Sequence, residues 1–387
     1  MPLGIYIQVP FCQTKCTYCN FHTGVVSPSL YQPYADAVRR EIAATEDFCG
    51  ASGDTVYFGG GTPSLLSPVA LAQILDALRA RFQLPGASEP AEITLEADPE
   101  TIHAENSAAW RAGSFNRVSL GAQSFSDAEL SASGRLHRRA DIGQAVATLR
   151  AAGIDNISLD LIAGLPHQTA DSWQDSLAQL LEIRPEHVSI YMLEIDEGSR
   201  LGRESLAGGA RYSAAAIPPD DDIADFYESA CARLAAAGYE HYEISNWALP
   251  GRRSRHNLKY WRREPYLGVG AGAHSFDGVS RWANVHDSGQ YVSAIQQGTS
   301  PRENIEAVTA AQALDEEFFL GLRQLDGIDL ARIESAYASA EPARLAALTK
   351  RIFSLRDTGL VSLDGPRLRL SPERLTVSSE VLGELLA

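Results

Sequence analysis

Hydrophobic positions along this chain follow two alternating rhythms. Short runs rich in β-branched and aromatic residues read as strands: 5–9 (IYIQV), 55–60 (TVYFGG), 92–98 (EITLEAD), 117–123 (RVSLGAQ), 156–162 (NISLDLI) and 187–193 (HVSIYML). Between and after them, apolar residues recur at helical spacing near 31–46, 67–83, 101–112, 139–152, 169–182 and 222–237. Alternation of this kind predicts an α/β fold, a parallel sheet with helical crossovers. Six βα units fall short of a closed eight-stranded barrel. They fit a partial (β/α)6 barrel, whose site lies at the C-terminal ends of the strands.

The rhythm changes downstream. Residues 195–220 (with EGSR, GGAR and IPPDDD) are rich in glycine, proline and acids and predict a long surface excursion within the barrel domain. The division expected is 1–240 for the barrel core, 241–304 for an aromatic- and glycine-rich connecting section, and 305–387 for a C-terminal α+β unit. In that last unit, helical patterns near 307–323, 330–338 and 343–357 precede two short strands joined by DGP. The order resembles a winged helix.

Composition narrows the function classes. The chain has 387 residues, 45% hydrophobic and 21% charged, as in ordinary globular proteins. A formal net charge of −16 argues against a general nucleic-acid binder. The exception is a local basic run, RRSRHNLKYWRR, at 252–263. No apolar run reaches the roughly 18 residues of a membrane span. The opening MPLGIYIQVP has no basic n-region. A cytoplasmic location is expected, compatible with peripheral membrane contact.

The candidate chemistry gathers at predicted strand ends. GGGTPS (59–64) follows the second strand, Glu96 lies near the end of the third and Gln123 near the end of the fourth. Asp160 lies on the fifth, just before AGLP (163–166). After the first strand, CQTKCTYC places Cys12, Cys16 and Cys19 on one loop. Of five cysteines, these three are clustered, which reads as metal ligation rather than a disulfide framework. Cys49 and Cys231 read as ordinary buried thiols. Thiolates suit zinc or iron–sulfur clusters. Structural zinc wants a fourth ligand, for which His22 is a candidate. Three cysteines with none in reserve suit a [4Fe–4S] cluster with one open iron.

CxxxCxxC after the first strand of a parallel βα protein resembles the radical S-adenosylmethionine (SAM) superfamily. The resemblance implies that the open iron chelates SAM and that the cluster delivers an electron to it. GGGTPS, LGAQSF (120–125) and LDLIAGLP (159–166) resemble the oxygen-independent coproporphyrinogen III dehydrogenase-like branch, over nearly the whole chain. By that resemblance, SAM is contacted by Tyr6, Tyr18, Gly60, Gly61, Thr62, Glu96, Gln123, Arg135 and Asp160. The dehydrogenases of this branch have CxxxCxxCxC and an N-terminal extension. Here Phe21 stands at the last cysteine position, and Cys12 lies eleven residues from Met1. Both features are shared with the HemW-type haem chaperones, as is HNLKYW (256–261), matching HNxxYW.

That subgroup implies haem binding with His256 as a ligand. Tyr260 and Trp261 would offer apolar surface, and Arg252, Arg253, Arg255, Arg262 and Arg263 would meet the propionates. His274, in LGVGAGAHSF (267–276), is a further haem candidate. The partners implied are acceptor haemoproteins, membrane-associated respiratory proteins among them. The alternative is a radical SAM enzyme acting on a porphyrinogen or tetrapyrrole, by decarboxylation or methylation. A DNA-binding regulator using 343–357 is a third class.

Overall fold

A computed structural model describes residues 2–48, 50–85 and 90–387. Cys49 lies outside the described residues. Six strands appear where the apolar runs predict them: β1 (Leu3–Val9), β2 (Gly53–Gly60), β3 (Glu92–Ala97), β4 (Arg117–Gln123), β5 (Asn156–Ala163) and β6 (His187–Met192). Helices α1 (Tyr31–Ala44), α2 (Pro68–Arg81), α3 (Ala104–Ala112), α4 (Asp127–Ala132), α5 (Arg139–Ala151), α6 (Ala170–Ile183), α7 (Arg200–Leu206) and α8 (Asp220–Ala236) follow in turn. Local chemistry sets their starts. The Ser67 hydroxyl accepts the Ala70 N–H to open α2, and Thr169 and Ser172 form a reciprocal cap on α6.

β1 to β6 pair in sequence order, all parallel. Their side chains, with the inner faces of the helices, form one core that includes Ile5, Ile7, Phe58, Leu95, Leu120, Leu159 and Ile190. This is the partial (β/α)6 barrel expected from the alternation. The sheet does not stop at residue 240. β7 (Glu240–Glu243) and β8 (Asn246–Ala248) extend it antiparallel beyond β6, and helix α9 (Arg255–Trp261) follows. β9 (Tyr266–Val269) pairs parallel with β1. β10 (His274–Phe276), β11 (Ser280–Asn284) and, after α10 (Ser288–Gln296), β12 (Arg302–Ala307) continue outward as an antiparallel ladder. The section expected to be a connector therefore covers both edges of the parallel sheet, which an open barrel must protect.

The 195–220 excursion lies largely at the surface, as expected, with one addition. Leu201, at the start of α7, is buried, and its N–H donates to Thr17 O at 2.8 Å; Arg200 reaches Lys15 O. Through these contacts the excursion also braces the cysteine loop. The C-terminal unit holds α11 (Ala310–Gly321), β13 (Ile328–Asp329), α12 (Leu330–Tyr337), α13 (Pro342–Asp357), the hairpin β14 (Val361–Asp364) and β15 (Arg367–Leu370), and α14 (Ser378–Leu386). Its small antiparallel sheet has the order β13-β15-β14, as a winged helix has. Among the described residues no helix is long and apolar enough to cross a membrane. Cys231 is half-buried on α8, its thiol pushed up to about 11 by burial.

Candidate functional site

The cysteine loop is a closed structure with fixed ends. Phe11 bridges Gly24, Cys12 N–H donates to Gly24 O at 3.0 Å, and Gly24 N–H returns to Pro10 O at 2.9 Å. Its middle is held from two sides, by Thr17 N–H to Ser133 O (3.0 Å) and by the Leu201 contact. Cys12, Cys16 and Cys19 are all half-buried on this loop. Burial pushes the Cys12 thiol up.

A cavity of about 500 Å³ lies against the loop at the C-terminal ends of the strands. Eleven of the thirteen site residues expected from the sequence line it: the three cysteines, Tyr18, Gly60, Gly61, Thr62, Glu96, Gln123, Arg135 and Asp160. The other two, Tyr6 and His256, do not. Tyr6 lies beneath the floor, stacked on Tyr57 with ring centres 6.0 Å apart.

The glycine motif is explained by the loop it faces. Gly61 N–H donates to Val9 O at 2.8 Å and Thr62 N–H to Phe11 O at 2.7 Å, carrying the β1–β2 pairing past the strand ends. A Cβ on Gly61 would come within 2.5 Å of Phe11 O and 2.9 Å of its carbonyl carbon. Gly60 has φ +112°, a region that favours glycine. Gln123 has φ +64° where β4 slips register against β5, a strained backbone at the cavity wall.

Five carboxylates line the cavity, Glu96, Asp98, Glu100, Asp160 and Glu194, and three of them are central to its wall. Glu96 accepts from Tyr57 O–H at 2.7 Å and from Gly60 N–H at 3.0 Å. Burial pushes its carboxyl up to about 7, opposed by the Tyr57 hydrogen bond. Asp160, facing the Ser119 hydroxyl at 3.3 Å, is also raised by burial. Asp98 belongs to none of the motifs. It accepts from Thr62 Oγ1 at 2.9 Å and pairs with Arg135. The signal was present, since Glu96 and Asp98 are two apart and extended backbone puts such pairs on one face. Tyr191 and Ser119 also line the cavity without a motif to mark them.

Arg135 is no solvated loop charge. Its side chain is 8% exposed, its Nη2 donates to Gly121 O at 2.8 Å, and its Nη1 lies 3.5 Å from Cys16 Sγ. Its Nε is buried without a partner. The donor set fits a thiolate-bound cluster with a carboxylate-bearing ligand beside it: three thiols, a guanidinium compensating their charge, and one free buried N–H. Among the described residues no three His, Cys, Asp or Glu side chains converge on one point as single-ion ligands would. A [4Fe–4S] cluster takes each thiolate on a different iron. His22 is exposed and sits against His286, with ring centres 4.4 Å apart.

Glu96 gives a pH test. Its folded value lies above the ordinary glutamate value, so it favours folding while protonated, and that contribution is lost as pH rises from the ordinary range through about 7. The stability of wild type relative to Glu96→Gln should therefore fall by roughly 1–3 kcal/mol between pH 5 and 8. Denaturant unfolding of both proteins at each pH measures it. Parallel pH profiles would mean that Glu96 is solvated.

His256 lies elsewhere. It packs against Thr55 near the start of β2, five residues and about 16 Å along the strand from Gly60. Its Nδ1 is 2.8 Å from Thr55 Oγ1 and its Nε2 is 2.9 Å from Tyr260 Oη. Burial, then Lys259 and Arg117, push its pKa down to about 3, so the ring is neutral. Both nitrogens are engaged and the side chain is buried, so axial ligation by His256 would first require a hydrogen bond to break. The neighbouring arginines are similarly committed: Arg253 to Glu240 and Asp326, Arg255 to Asp54, Arg263 to Glu316. HNLKYW plugs the N-terminal end of the barrel. Accordingly, His256→Ala should strand two buried hydroxyls at about 1–3 kcal/mol each, read as a lowered unfolding midpoint. A stability within about 0.5 kcal/mol of wild type would mean that water reaches this site.

Comparison with known proteins agrees with this geometry. The radical SAM superfamily pattern matches residues 6–180, and that of the HemN C-terminal domain matches 308–373. The chain is 36% identical to the heme chaperone HemW of Mycobacterium tuberculosis, over 100% of this chain and 95% of that protein. HemW of Synechocystis is 38% identical over 90% of this chain and 84% of that protein, and HemW of Bacillus subtilis 32% identical over 98% of each. Coproporphyrinogen III oxidase (HemN) from Escherichia coli superposes with a TM-score of 0.85 at 23% identity, covering 99% of this chain and 90% of that one. This last likeness speaks to the fold. With a cysteine loop, a strand-end cavity and near-complete alignment to several relatives, the chain belongs to the HemW family of the radical SAM superfamily.

Proposed function

We propose that this chain is a haem chaperone that holds a [4Fe–4S] cluster, SAM and haem, and passes haem to acceptor haemoproteins. The observation that carries the proposal is the full-length similarity to proteins named heme chaperone HemW. Phe21 supports it, because this exposed phenyl lines the cavity where a fourth cysteine would mark the dehydrogenases.

Cys12, Cys16 and Cys19 would hold the cluster, which when bound supplies an open iron and a single electron. Around it the protein positions SAM. Glu96 and Asp160 accept from ribose hydroxyls or the ammonium, and the free Nε–H of Arg135 donates to the carboxylate. Gly60, Gly61 and Thr62 bring backbone close to the methionyl group. Tyr18 and Gln123 complete the wall, and Tyr6 supports the floor from below. Acceptors at the membrane, respiratory haemoproteins among them, are the partners this role requires.

The test uses the reconstituted full chain under anaerobic conditions. Hemin should bind stoichiometrically and move to an apo-haemoprotein, followed by the acceptor's own absorbance. Given coproporphyrinogen III, SAM and a reductant, the protein should form no protoporphyrinogen. Formation of that product would make it an enzyme of the tetrapyrrole branch instead.

A further inference from the structure

His256 is spent on two hydrogen bonds inside the barrel floor, yet a haem-binding protein needs an accessible iron ligand. Such histidines exist elsewhere in this chain. His22 follows the cysteine loop, His274 opens β10, and His286 follows β11; all three are exposed. The rings of His22 and His286 lie 4.4 Å apart between centres, and those of His274 and His286 6.5 Å. The imidazoles of His137, His187, His241 and His256 are hydrogen-bonded. These three have no hydrogen-bond partner among the described residues.

The local backbone makes room for the group. Gly272 has φ +72°, and a Cβ there would come within 3.0 Å of His286 Nδ1. Two large apolar side chains flank His22 in the chain: Phe21 is 67% exposed and Val25 60%. Lys15 crosses the same loop, its Nζ donating to Phe21 O at 3.2 Å and Thr23 O at 3.3 Å. The three rings do not converge on a single ion.

Unpaired imidazoles, exposed apolar surface and a nearby ammonium match the chemistry of iron protoporphyrin. Its iron takes an axial imidazole, its macrocycle needs apolar cover, and its propionates need a cation. We propose that the cluster of His22, His274 and His286 is the axial-ligand site for haem iron, at the rim of the cysteine-loop cavity. His22 or His286 provides one axial imidazole, and with ring centres 4.4 Å apart the two lie on the same face of the macrocycle. The Cys19-to-Thr23 segment then belongs to both sites, so haem and the iron–sulfur cluster share a wall. The inference rests on the chaperone reading and supplies its binding site.

The experiment is a hemin titration, followed by the Soret band, of the reconstituted wild type, a His22→Ala/His286→Ala double variant, and His103→Ala as an exposed-histidine control. Iron-free protoporphyrin IX is titrated in parallel. The double variant should bind hemin more than about tenfold more weakly, with a changed Soret spectrum, while the control matches wild type. Both variants should keep the wild-type thermal midpoint and cluster absorbance, because the substituted side chains are exposed. Hemin binding by the double variant with wild-type affinity and spectrum would overturn this site and leave the chaperone reading intact. Equal weakening for the iron-free porphyrin would show stacking without axial ligation and overturn the assignment too. Failure of the wild type to bind hemin would overturn the chaperone reading itself.

Discussion

Asp98→Ala should cost about 3 kcal/mol, the lower end of the range for breaking a buried ion pair, and should deplete the cysteine loop of its cluster. The lower end applies because Asp98 is 21% exposed while Arg135 is only 8% exposed. Without Asp98, the Arg135 guanidinium keeps Gly121 O and Cys16 Sγ but loses its counter-charge, and Thr62 Oγ1 loses its acceptor. Those contacts join the ends of β2, β3 and β4 to the loop, so their loss propagates to the thiols. Asp98→Asn keeps the shape and an acceptor oxygen and should recover part of the stability. Urea unfolding of the apoprotein, with the visible absorbance of the reconstituted protein, reads both effects. A loss below about 1 kcal/mol would place the pair among solvent-screened surface bridges.

Gly61→Ala should have the second-largest effect. Its new methyl would meet the carbonyl of Phe11 at 2.5 Å and the Phe11 nitrogen at 3.0 Å, all of it backbone that no rotamer change can relieve. Phe11 can yield only by moving Cys12, its neighbour. Overpacking of this kind costs about 1–3 kcal/mol, and here the strain falls on Cys12, the first of the proposed cluster ligands. Iron content per chain after reconstitution should drop together with the thermal midpoint. Full iron content at an unchanged midpoint would show that the loop tolerates the shift.

The strands were the most legible part of the chain. Strand and helix boundaries of all six βα units emerge within a few residues of the apolar runs, because burial on both faces of a parallel sheet writes itself into consecutive residues. The cysteine loop and the glycine turn were legible for a related reason, since their chemistry is local and their spacing is fixed by the chain itself. The 241–304 section reads as a connector by sequence, because strands of three to six residues carry too little periodicity to stand out. The glycines and acids of 195–220 mark a surface segment, and only the tertiary structure shows Leu201 buried against Thr17.

Asp98 shows where motif reading stops. Its role comes from Arg135 and Thr62, 37 and 36 residues away in the chain, and no local pattern encodes that meeting. His256 shows what a motif leaves open. Its motif stands out in the sequence, yet the fold turns its ring towards Thr55, 201 residues distant, and closes both nitrogens. His22 and His274 stand out in the sequence only as separate candidates and His286 not at all; the three meet because β10 and β11 lie beside the loop that follows β1.

By itself, then, the sequence determined the alternating βα architecture, the three thiols on one loop and the family, all of which depend on spacing along the chain. Only the tertiary structure decided which carboxylate holds Arg135, which histidines are closed and which stand open. Those are properties of side chains far apart in sequence, and their environment exists only once the sheet has brought its strand ends together.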